Sequence, residues 1–292
     1  MITAEKKMIS NSWFEKKRMN DAEFETLSNF VTLNYGIKLP ESKRIMLEGR
    51  LQKRLKEVNV DSFKDYLEFV FSHDGQIELI NMIDAISTNK TDFFRESAHF
   101  EFITNNLLRQ FQAENKSEKM RFWSSAASTG EEIYTMAMVM NEYNRKSYEG
   151  GIDYSILGTD ISVRALQQAV SAIYKHDRIL NLPIELRKRY FLKSKDPQSD
   201  LVRVNAQLRS KTRFERLNLM DEVYNVGDEF DVIFCRNVLI YFDKETQEKV
   251  VNKLSDNLKP GGYLFLGHSE SIIGKHVPLT QIQPTIYKRP LR

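Results

Sequence analysis

The first candidate for chemistry is the segment RFWSSAASTGEEIY, residues 121–134. Its largely apolar start ends in the small residues 128–130, and a helical pattern begins after Glu131 and Glu132. A strand that turns through small residues into a helix lets a ligand approach the backbone N–H groups at the helix start. The two glutamates and the single glycine disfavour a pyrophosphate. They favour a ligand with a positive centre and free ribose hydroxyls, such as S-adenosylmethionine.

An acidic residue, Asp160, lies in ILGTDIS at the end of the next strand-like run after residues 122–127. A carboxylate about 30 residues after the first turn can accept hydrogen bonds from both ribose hydroxyls. The alternative is a cap for a helix that begins near Ser162, since Asp and Ser both favour that position. The small-residue turn before it makes the ribose role the preferred interpretation.

Polar residues also follow a third apolar run, in DVIFCRNVLIYFD, residues 231–243. Arg236, Asn237 and Tyr241 stand at its carboxyl end, where parallel strands face a ligand crevice. The alternative is a loop with an incidental tyrosine.

The segment NKTDFFRE, residues 89–96, places an amide, a hydroxyl and an arginine beside two phenylalanines. An exposed linker rarely carries two adjacent phenylalanines. We therefore expect it to fold back over the ligand pocket, with Arg95 meeting a carboxylate. A plain interdomain salt bridge is the competing interpretation.

The pattern of apolar residues divides the chain into a helical part and a part in which strands and helices alternate. Residues 1–20 are polar and charged and are predicted to form a flexible arm. Residues 21–88 contain four segments in which apolar residues recur at helical spacing, and this pattern predicts a small all-helical domain. Residues 89–97 then act as a linker that contributes to the pocket, and residues 98–292 alternate strands with helices. That alternation predicts an α/β fold with a mainly parallel, Rossmann-like sheet.

The segment LVRVNAQLRSKTRF, residues 201–214, alternates at its start and is predicted to form an inserted β-hairpin. We place this small antiparallel β subdomain around residues 190–216. Residues 285–288 have the pattern of a last, antiparallel strand.

Composition narrows the setting but selects no partner. The chain of 292 residues has 43 Lys+Arg and 40 Asp+Glu, a formal net charge of +3. No apolar run approaches the roughly 20 residues of a membrane span. The one cysteine excludes an intramolecular disulfide, and five scattered histidines give no metal-ligand spacing. We expect a cytoplasmic monomer without membrane insertion and without a metal.

The second predicted helix is basic on one side. Lys43, Arg50, Lys53 and Arg54 fall within about 100° on a helical wheel. Such a stripe is often only a solvated face, but it also suits an acidic partner.

Together, TNKTDFFRE, WSSAASTGEE, LGTDIS, FDVIFCRNVLIYFD and KPGGYLFLGHSES resemble the CheR family of chemotaxis receptor methyltransferases. The likeness runs over residues 21–287. It implies a helical N-terminal domain, an S-adenosylmethionine-binding α/β domain and a β subdomain. It also implies methylation of glutamate side chains on the cytoplasmic helical bundle of chemoreceptors, with S-adenosylhomocysteine as product.

The resemblance further implies roles for individual residues. The residues matching Arg95 and Tyr241 lie closest to the transferred methyl. The helix matching residues 42–58, with Lys43, Arg50, Lys53 and Arg54, grips the receptor. The cofactor pocket is implied to comprise Asn89, Thr91, Arg95, Ala127, Glu132, Asp160, Asn218, Leu219, Arg236 and Asn237. Some members also tether to a receptor peptide through the β subdomain, but KSKDPQSD lacks the glycines often seen in them.

Two other functions compete with this one. A nucleic-acid methyltransferase is disfavoured, because NVLIY lacks the prolines of the Asn-Pro-Pro-Tyr loop and the sheet domain has no basic stripe with interleaved aromatics. A cofactor-binding signalling adaptor without turnover is disfavoured by the polar residues at every matching site position.

Overall fold

The structure is a computed structural model that describes residues 17–114, 118–148 and 150–291. Most of the predicted N-terminal arm, residues 1–16, lies outside the described residues. The chain divides into two compact units, one ending at Ser87 and one beginning at Thr88. None of the helices in the described ranges is long and apolar enough to cross a membrane.

Among its described residues, 17–87, the first unit has four α-helices. They are α1 (Asp21–Tyr35), α2 (Arg44–Glu57), α3 (Phe63–Val70) and α4 (Gln76–Ile86). Helix α1 is capped by Asn20 rather than by Asp21, because the Asn20 side chain accepts from the Glu23 amide and Glu23 bonds back. Helix α3 is capped by Ser62, whose side chain accepts from the Asp65 amide. The apolar faces of the four helices meet in a buried core: Leu27, Val31, Leu47, Leu51, Leu55, Tyr66, Val70, Met82 and Ile83.

The second unit is built on one large mixed sheet. In the part of the chain that the structure describes, it has seven strands: β1 (Met120–Ser124), β2 (Tyr154–Asp160), β6 (Thr212–Arg216), β7 (Phe230–Cys235), β8 (Leu258–Leu266), β9 (Thr280–Gln283) and β10 (Ile286–Lys288). Their order is β6-β2-β1-β7-β8-β10-β9. The first five pair in parallel, and β10 pairs antiparallel with β8, as the pattern of residues 285–288 predicts.

Helices join these strands and cover them. They are α5 (Ala98–Phe102) and α6 (Leu108–Ala113), α7 (Glu131–Lys146), α8 (Val163–Ser171), α9 (Ile184–Tyr190), α10 (Ala206–Arg209) and α11 (Lys244–Asp256). A π-helical turn over Ile103–Leu107 joins α5 to α6. Two apolar clusters line the sheet, one including Phe122 and Phe234 and the other including Trp123 and Leu264. Helices connecting parallel strands bring the carboxyl ends of β1, β2 and β7 to one edge.

The predicted hairpin over residues 201–214 is wrong. A three-stranded antiparallel sheet, here called the small sheet, joins β3 (Ile173–Lys175), β5 (Leu201–Val204) and β4 (Phe191–Lys193) in the order β3-β5-β4. After β5 the short helix α10 returns the chain to the main sheet, where β6 pairs in parallel with β2. Alternation correctly placed Val202 and Val204 on a buried face. It does not specify the partner strand, because pairing depends on residues distant in sequence.

Candidate functional site

The loop after β1 is held by backbone bonds to both neighbouring strands. The Ser125 amide donates to a carbonyl at the end of β7, and the Ala127 amide donates to a carbonyl of β2, both at 2.8 Å. Ser128 follows with a φ of 49°, and Gly130 precedes α7 with a φ of 94°. A Cβ at Gly130 would lie 2.9 Å from the Ala169 side chain, so only glycine fits this turn.

Asp160 joins this loop to the end of β2. Its Oδ2 accepts a hydrogen bond from the Ser128 amide at 2.8 Å, and its Oδ1 accepts from the Ser162 amide at 2.9 Å. Helix α8 is capped by Ser162, whose side chain accepts from the Ala165 amide, so the cap alternative for Asp160 is wrong. Two backbone amides thus orient a largely buried carboxylate, a group with about four acceptor positions in all.

The segment of residues 89–97, here called the site loop, lies beside the loop after β1. The Asn89 side chain donates to Ser162 Oγ at 3.2 Å, and the Asn89 carbonyl accepts from Ser128 Oγ at 3.1 Å. Two of its non-glycine residues, Phe94 and Glu96, have φ angles of 54° and 55°. Left-handed backbone at bulky residues is strained and persists only where the surroundings hold it.

Arg95 lies between these two strained residues. Its side chain is half-buried, and one guanidinium nitrogen donates to the Lys90 carbonyl at 3.0 Å. Within residues 17–114, 118–148 and 150–291, Arg95 forms no ion pair with a carboxylate. The guanidinium is therefore available, in charge and geometry, for a carboxylate supplied by a ligand.

Arg236 is buried and forms hydrogen bonds to two residues of the site loop. Its Nε and Nη2 donate to Glu96 Oε2 at 3.2 and 2.8 Å, its Nη1 donates to Glu132 Oε2 at 2.9 Å, and its Nη2 also reaches the Arg95 carbonyl at 2.6 Å. The guanidinium predicted to line the cofactor pocket is thus engaged with protein atoms. Its bonds fix the backbone that carries Arg95.

Asn237, the next residue, also bonds the site loop and has a φ of 60°. Its side chain donates to Glu96 Oε1 at 3.2 Å, and its amide donates to Glu270 Oε2 at 2.9 Å. Glu270 also accepts from the Leu239 amide at 2.7 Å and the Gly267 amide at 2.6 Å. One buried carboxylate therefore fixes the backbone after both β7 and β8.

The carboxylates of the site differ in their electrostatics. Burial raises the pKa values of Glu131, Glu132 and Glu270 above the ordinary glutamate range, although each receives opposing hydrogen bonds. The pKa of Glu96 is lowered, because the hydrogen bonds and charge of Arg236 outweigh its burial. Among these carboxylates, Glu132 lies at the start of α7 with a charge that burial opposes and that Arg236 supports.

Glu96, His99 and His268 have metal-ligand atoms within 4.8 Å of one another. Burial, reinforced by the charge of Arg236, lowers the pKa of His99 to about 4, and its Nε2 lies 2.8 Å from Thr285 Oγ1. The oxygens of Glu96 already accept from Arg236, Asn237 and the His268 amide. The chemistry of this cluster is thus that of an arginine-organised network rather than a cation site.

The remaining predicted pocket residues contact neighbouring protein groups. The Thr91 carbonyl accepts from Arg178, Leu219 is buried in the second apolar cluster, and Asn218 Oδ1 accepts from the Met220 amide at 3.0 Å. Tyr241 is half-buried on a 3₁₀ turn, Leu239–Tyr241, directly after Asn237 and Val238. The contacts of these residues with a cofactor or substrate stay predictions.

The predicted basic stripe of α2 is not a continuous exposed surface. Arg50 donates to the carbonyls of Ala85, Ile86 and Ser87 and so closes the end of α4. Arg54 forms a two-pronged ion pair with the buried carboxylate of Glu78. Lys53 is exposed and Lys43 is half-buried. A helical wheel gives the direction of a side chain but not the partner it meets.

Two residues of the site have little sequence signal. Glu96 bonds Arg236, which lies 140 positions later, and Glu270 bonds Asn237, which lies 33 positions earlier. A glutamate beside an arginine, as in FFRE, or inside GHSES, is an ordinary surface pattern. The positive φ angles that these carboxylates help to maintain are equally invisible in sequence.

The chemistry of these donors fits S-adenosylmethionine. Asp160 is oriented at the carboxyl end of β2, carboxylates surround the start of α7, and Arg95 is available for a carboxylate. A largely parallel sheet with this loop and this acidic residue is typical of a nucleotide-type cofactor site, and the carboxylates around the start of α7 favour S-adenosylmethionine.

Known proteins narrow the class. Residues 89–288 match "CheR methyltransferase, SAM binding domain" and residues 22–87 match "CheR methyltransferase, all-alpha domain". The chain is 41% identical to the chemotaxis protein methyltransferase of Borreliella burgdorferi, over 91% of this chain and 94% of that protein. It is 36% identical to the chemotaxis protein methyltransferase of Escherichia coli, over 94% and 92%. The chain belongs to the CheR methyltransferase family, which confirms the predicted fold class, cofactor and type of enzyme.

Proposed function

We propose that this protein transfers the methyl group of S-adenosylmethionine to glutamate side chains on the cytoplasmic helices of chemoreceptors, giving methyl esters. The similar proteins are named chemotaxis protein methyltransferases, which supports this substrate class. The observation that carries the proposal is Arg95, a half-buried guanidinium without a carboxylate partner among the described residues, held on a strained loop beside the crevice.

The cofactor is held by the predicted pocket residues. Asp160 accepts the ribose hydroxyls, since Ser128 and Ser162 already orient its carboxylate. Glu132 places negative charge near the positive centre, and Arg95 pairs with the cofactor carboxylate. The other predicted contacts, of Asn89, Thr91, Ala127, Asn218, Leu219, Arg236 and Asn237, line or support the pocket.

The chemistry requires no general base. Glutamate has a reference pKa near 4.3 and is ionised at neutral pH. When bound, S-adenosylmethionine supplies a sulfonium methyl: a C–O bond forms to the substrate carboxylate, the C–S bond breaks, and its electron pair stays on sulfur. No proton moves. The protein therefore contributes proximity, alignment and exclusion of water.

Arg95 and Tyr241 have different tasks in this scheme. The reaction neutralises both the carboxylate and the sulfonium, so a strong ion pair to the substrate carboxylate would stabilise the ground state and oppose transfer. Arg95 therefore fixes the cofactor, whereas the Tyr241 hydroxyl gives a modest hydrogen bond that orients the substrate glutamate.

Receptor recognition belongs to the exposed part of α2. Lys53, which is exposed on α2, can meet acidic receptor helices together with the half-buried Lys43 directly before that helix, whereas Arg50 and Arg54 act inside the helical unit and support this surface indirectly. The protein is proposed to act as a cytoplasmic monomer without binding nucleic acid.

The test combines calorimetric titration with S-adenosylmethionine and transfer of labelled methyl to receptor cytoplasmic fragments. We expect saturable binding and label that is released as methanol in mild alkali, because esters hydrolyse there and N-methyl groups do not. Fragments with glutamine at the acceptor positions should remain unlabelled. Binding without transfer would favour the adaptor, and transfer to nucleic acid would overturn the proposal.

Two variants connect the assay to the site. Asp160→Ala removes charge-assisted hydrogen bonds worth on the order of 1.5–3 kcal/mol, so affinity for the cofactor should fall about ten- to a hundredfold. Tyr241→Phe should lower turnover while affinity for the cofactor stays within a few fold. Tyr148→Phe, at a fully exposed tyrosine, is the matched control.

A further inference from the structure

The small sheet contacts the site loop through an aromatic cluster. The Phe93 ring is buried edge-on between two rings of the small sheet, Tyr174 of β3 and Phe191 of β4. The ring centroids lie 5.1 and 5.3 Å away. Edge-to-face pairs at these distances are favourable beyond their buried area. Phe93, which lies directly before the strained residues Phe94 and Glu96, is therefore anchored in the small sheet.

A second contact comes from Arg178, which lies in the 3₁₀ turn His176–Ile179 directly after β3. Its Nη1 lies 2.9 Å from Asp92 Oδ1, and its Nη2 donates to the Thr91 carbonyl and to Glu131 Oε1, the latter at 3.0 Å. One side chain of the insertion thus bonds two consecutive residues of the site loop and the first residue of α7.

Tyr174 of the small sheet also forms a hydrogen bond to the loop after β1. The Tyr174 hydroxyl donates to the Thr129 carbonyl at 2.7 Å. Thr129 Oγ1 in turn donates to Glu131 Oε2 at 2.5 Å, so Glu131 is bonded from both sides. Its side chain is only 1% exposed, and its ion pair with Arg178 is the contact that balances its charge.

Strain explains why such contacts are needed. Phe94 and Glu96 hold left-handed conformations that cost of order 1–3 kcal/mol each and relax unless both ends of the segment are fixed. Arg236 holds the end that carries Glu96 and the Arg95 carbonyl. Arg178 and Phe93 hold the other end, at Thr91 and Asp92.

We propose that Arg178 and Phe93 are positioning residues for methyl transfer, through which the small sheet fixes the orientation of Thr91 and Arg95. The proposal rests on the proposed function for its rate measurements. The small sheet is then part of the machinery of the site, coupled to the cofactor pocket through one arginine and one phenylalanine.

Arg189 provides a matched control within the same insertion. It lies on α9, is 34% exposed against 37% for Arg178, and pairs with Glu142 of α7. Both arginines therefore attach the insertion to α7, but Arg178 binds at the start of that helix beside the site loop, whereas Arg189 binds eleven positions further along. A purely structural attachment would make the two variants equivalent.

The experiment compares Arg178→Ala, Arg178→Lys and Arg189→Ala in the full chain. For each, the melting temperature, the affinity for S-adenosylmethionine, and kcat and KM for receptor fragments are measured. We expect Arg178→Ala to lower kcat at least tenfold and to weaken cofactor binding several-fold, with KM for the receptor fragment within twofold. Arg178→Lys should recover part of kcat, and Arg189→Ala should leave kcat and cofactor affinity within twofold of wild type.

Two milder variants cover a failure of Arg178→Ala to fold. Asp92→Asn alters a side chain that is 54% exposed, and Phe93→Leu keeps an apolar contact without the ring. Both should lower kcat more than Arg189→Ala does. Equal effects of the Arg178 and Arg189 substitutions, or none from Asp92→Asn and Phe93→Leu, overturn the positioning role. If wild type binds cofactor but labels no receptor fragment, the proposed function fails, and the cofactor affinities still decide the positioning role.

Discussion

The helical unit and the sheet unit each bury glutamate against arginine, and Glu78 of the helical unit and Glu132 of the sheet unit have pKa shifts of opposite sign. In the helical unit, Glu78 accepts from Arg54, from the Tyr66 hydroxyl at 2.8 Å and from Asn81 at 3.2 Å. Burial opposes its charge, but these hydrogen bonds outweigh burial, and the pKa of Glu78 is lowered. The Glu78 cluster therefore stabilises the helical unit, and the charge of its carboxylate is compensated by Arg54.

In the sheet unit, Arg236 is shared between two carboxylates. Glu96 receives two of the four hydrogen bonds of Arg236 and has a lowered pKa, whereas Glu132 receives one and has a pKa raised by burial. A buried carboxylate that its surroundings undercompensate is typical of functional sites. The comparison teaches that an arginine–glutamate contact does not by itself identify a site; the balance between burial and the surrounding hydrogen bonds differs from one carboxylate to the next.

The largest expected effect comes from Arg236→Met. It leaves Glu96 and Glu132 without a cation, which for a buried pair costs about 3–5 kcal/mol of stability. The loop carrying Arg95 also loses its support, so methyl transfer should fall by at least about a hundredfold. Thermal unfolding and single-turnover transfer at low temperature measure the two losses. Normal turnover in a folded variant would show that Arg236 is structural only.

Arg54→Met should destabilise the protein by a similar amount without touching the cofactor. It leaves buried Glu78 unpaired, again at a cost of about 3–5 kcal/mol. Affinity for S-adenosylmethionine, titrated well below the melting temperature, should match wild type. Lys53→Met, at an exposed neighbour, should leave the melting temperature unchanged. Reduced cofactor affinity in Arg54→Met would contradict the separation between the two clusters.

Paired glutamine substitutions sharpen the comparison at intermediate magnitude. Glu78→Gln removes a favoured charge and should cost about 1.5–3 kcal/mol of stability. Glu132→Gln removes a charge that burial opposes, so it should cost less stability than Glu78→Gln, while affinity for the cationic cofactor falls several-fold. Denaturant titration and calorimetry report the two quantities. A larger loss of stability in Glu132→Gln than in Glu78→Gln would reverse the assignment.

The smallest expected effect is in acid. The pKa of Glu78 is lowered on folding, so its stabilisation is fully present above the unfolded value near 4.3 and is lost as pH falls through the folded value. Glu132 has the opposite sign, because a raised pKa adds stability as pH falls through it. The protection factors of the α4 amides, which are corrected for the intrinsic pH dependence of exchange, should therefore fall below about pH 4.3, and Glu78→Gln should flatten that fall. Protection factors independent of pH in wild type would refute this sign.

Local signals made part of the site predictable. The apolar run, the small residues and the glutamates of residues 121–134 are consecutive, and Asp160 ends the next strand. Each of these depends on backbone geometry within a few residues, which sequence encodes directly. The support of the site was not predictable, because Glu96, Arg236 and Glu270 find one another across the fold.

The sequence by itself determined the alternation of helices and strands, the turn that approaches the cofactor and the family of the chain. Tertiary structure alone decided which arginines are available: Arg54 and Arg236 are engaged with carboxylates, whereas Arg95 forms no such pair within the described residues. It also decided that β5 joins the small sheet and β6 the main one. The physical reason is range: periodicity and turn chemistry act over a few residues, but charge compensation and strand pairing depend on groups brought together only by folding.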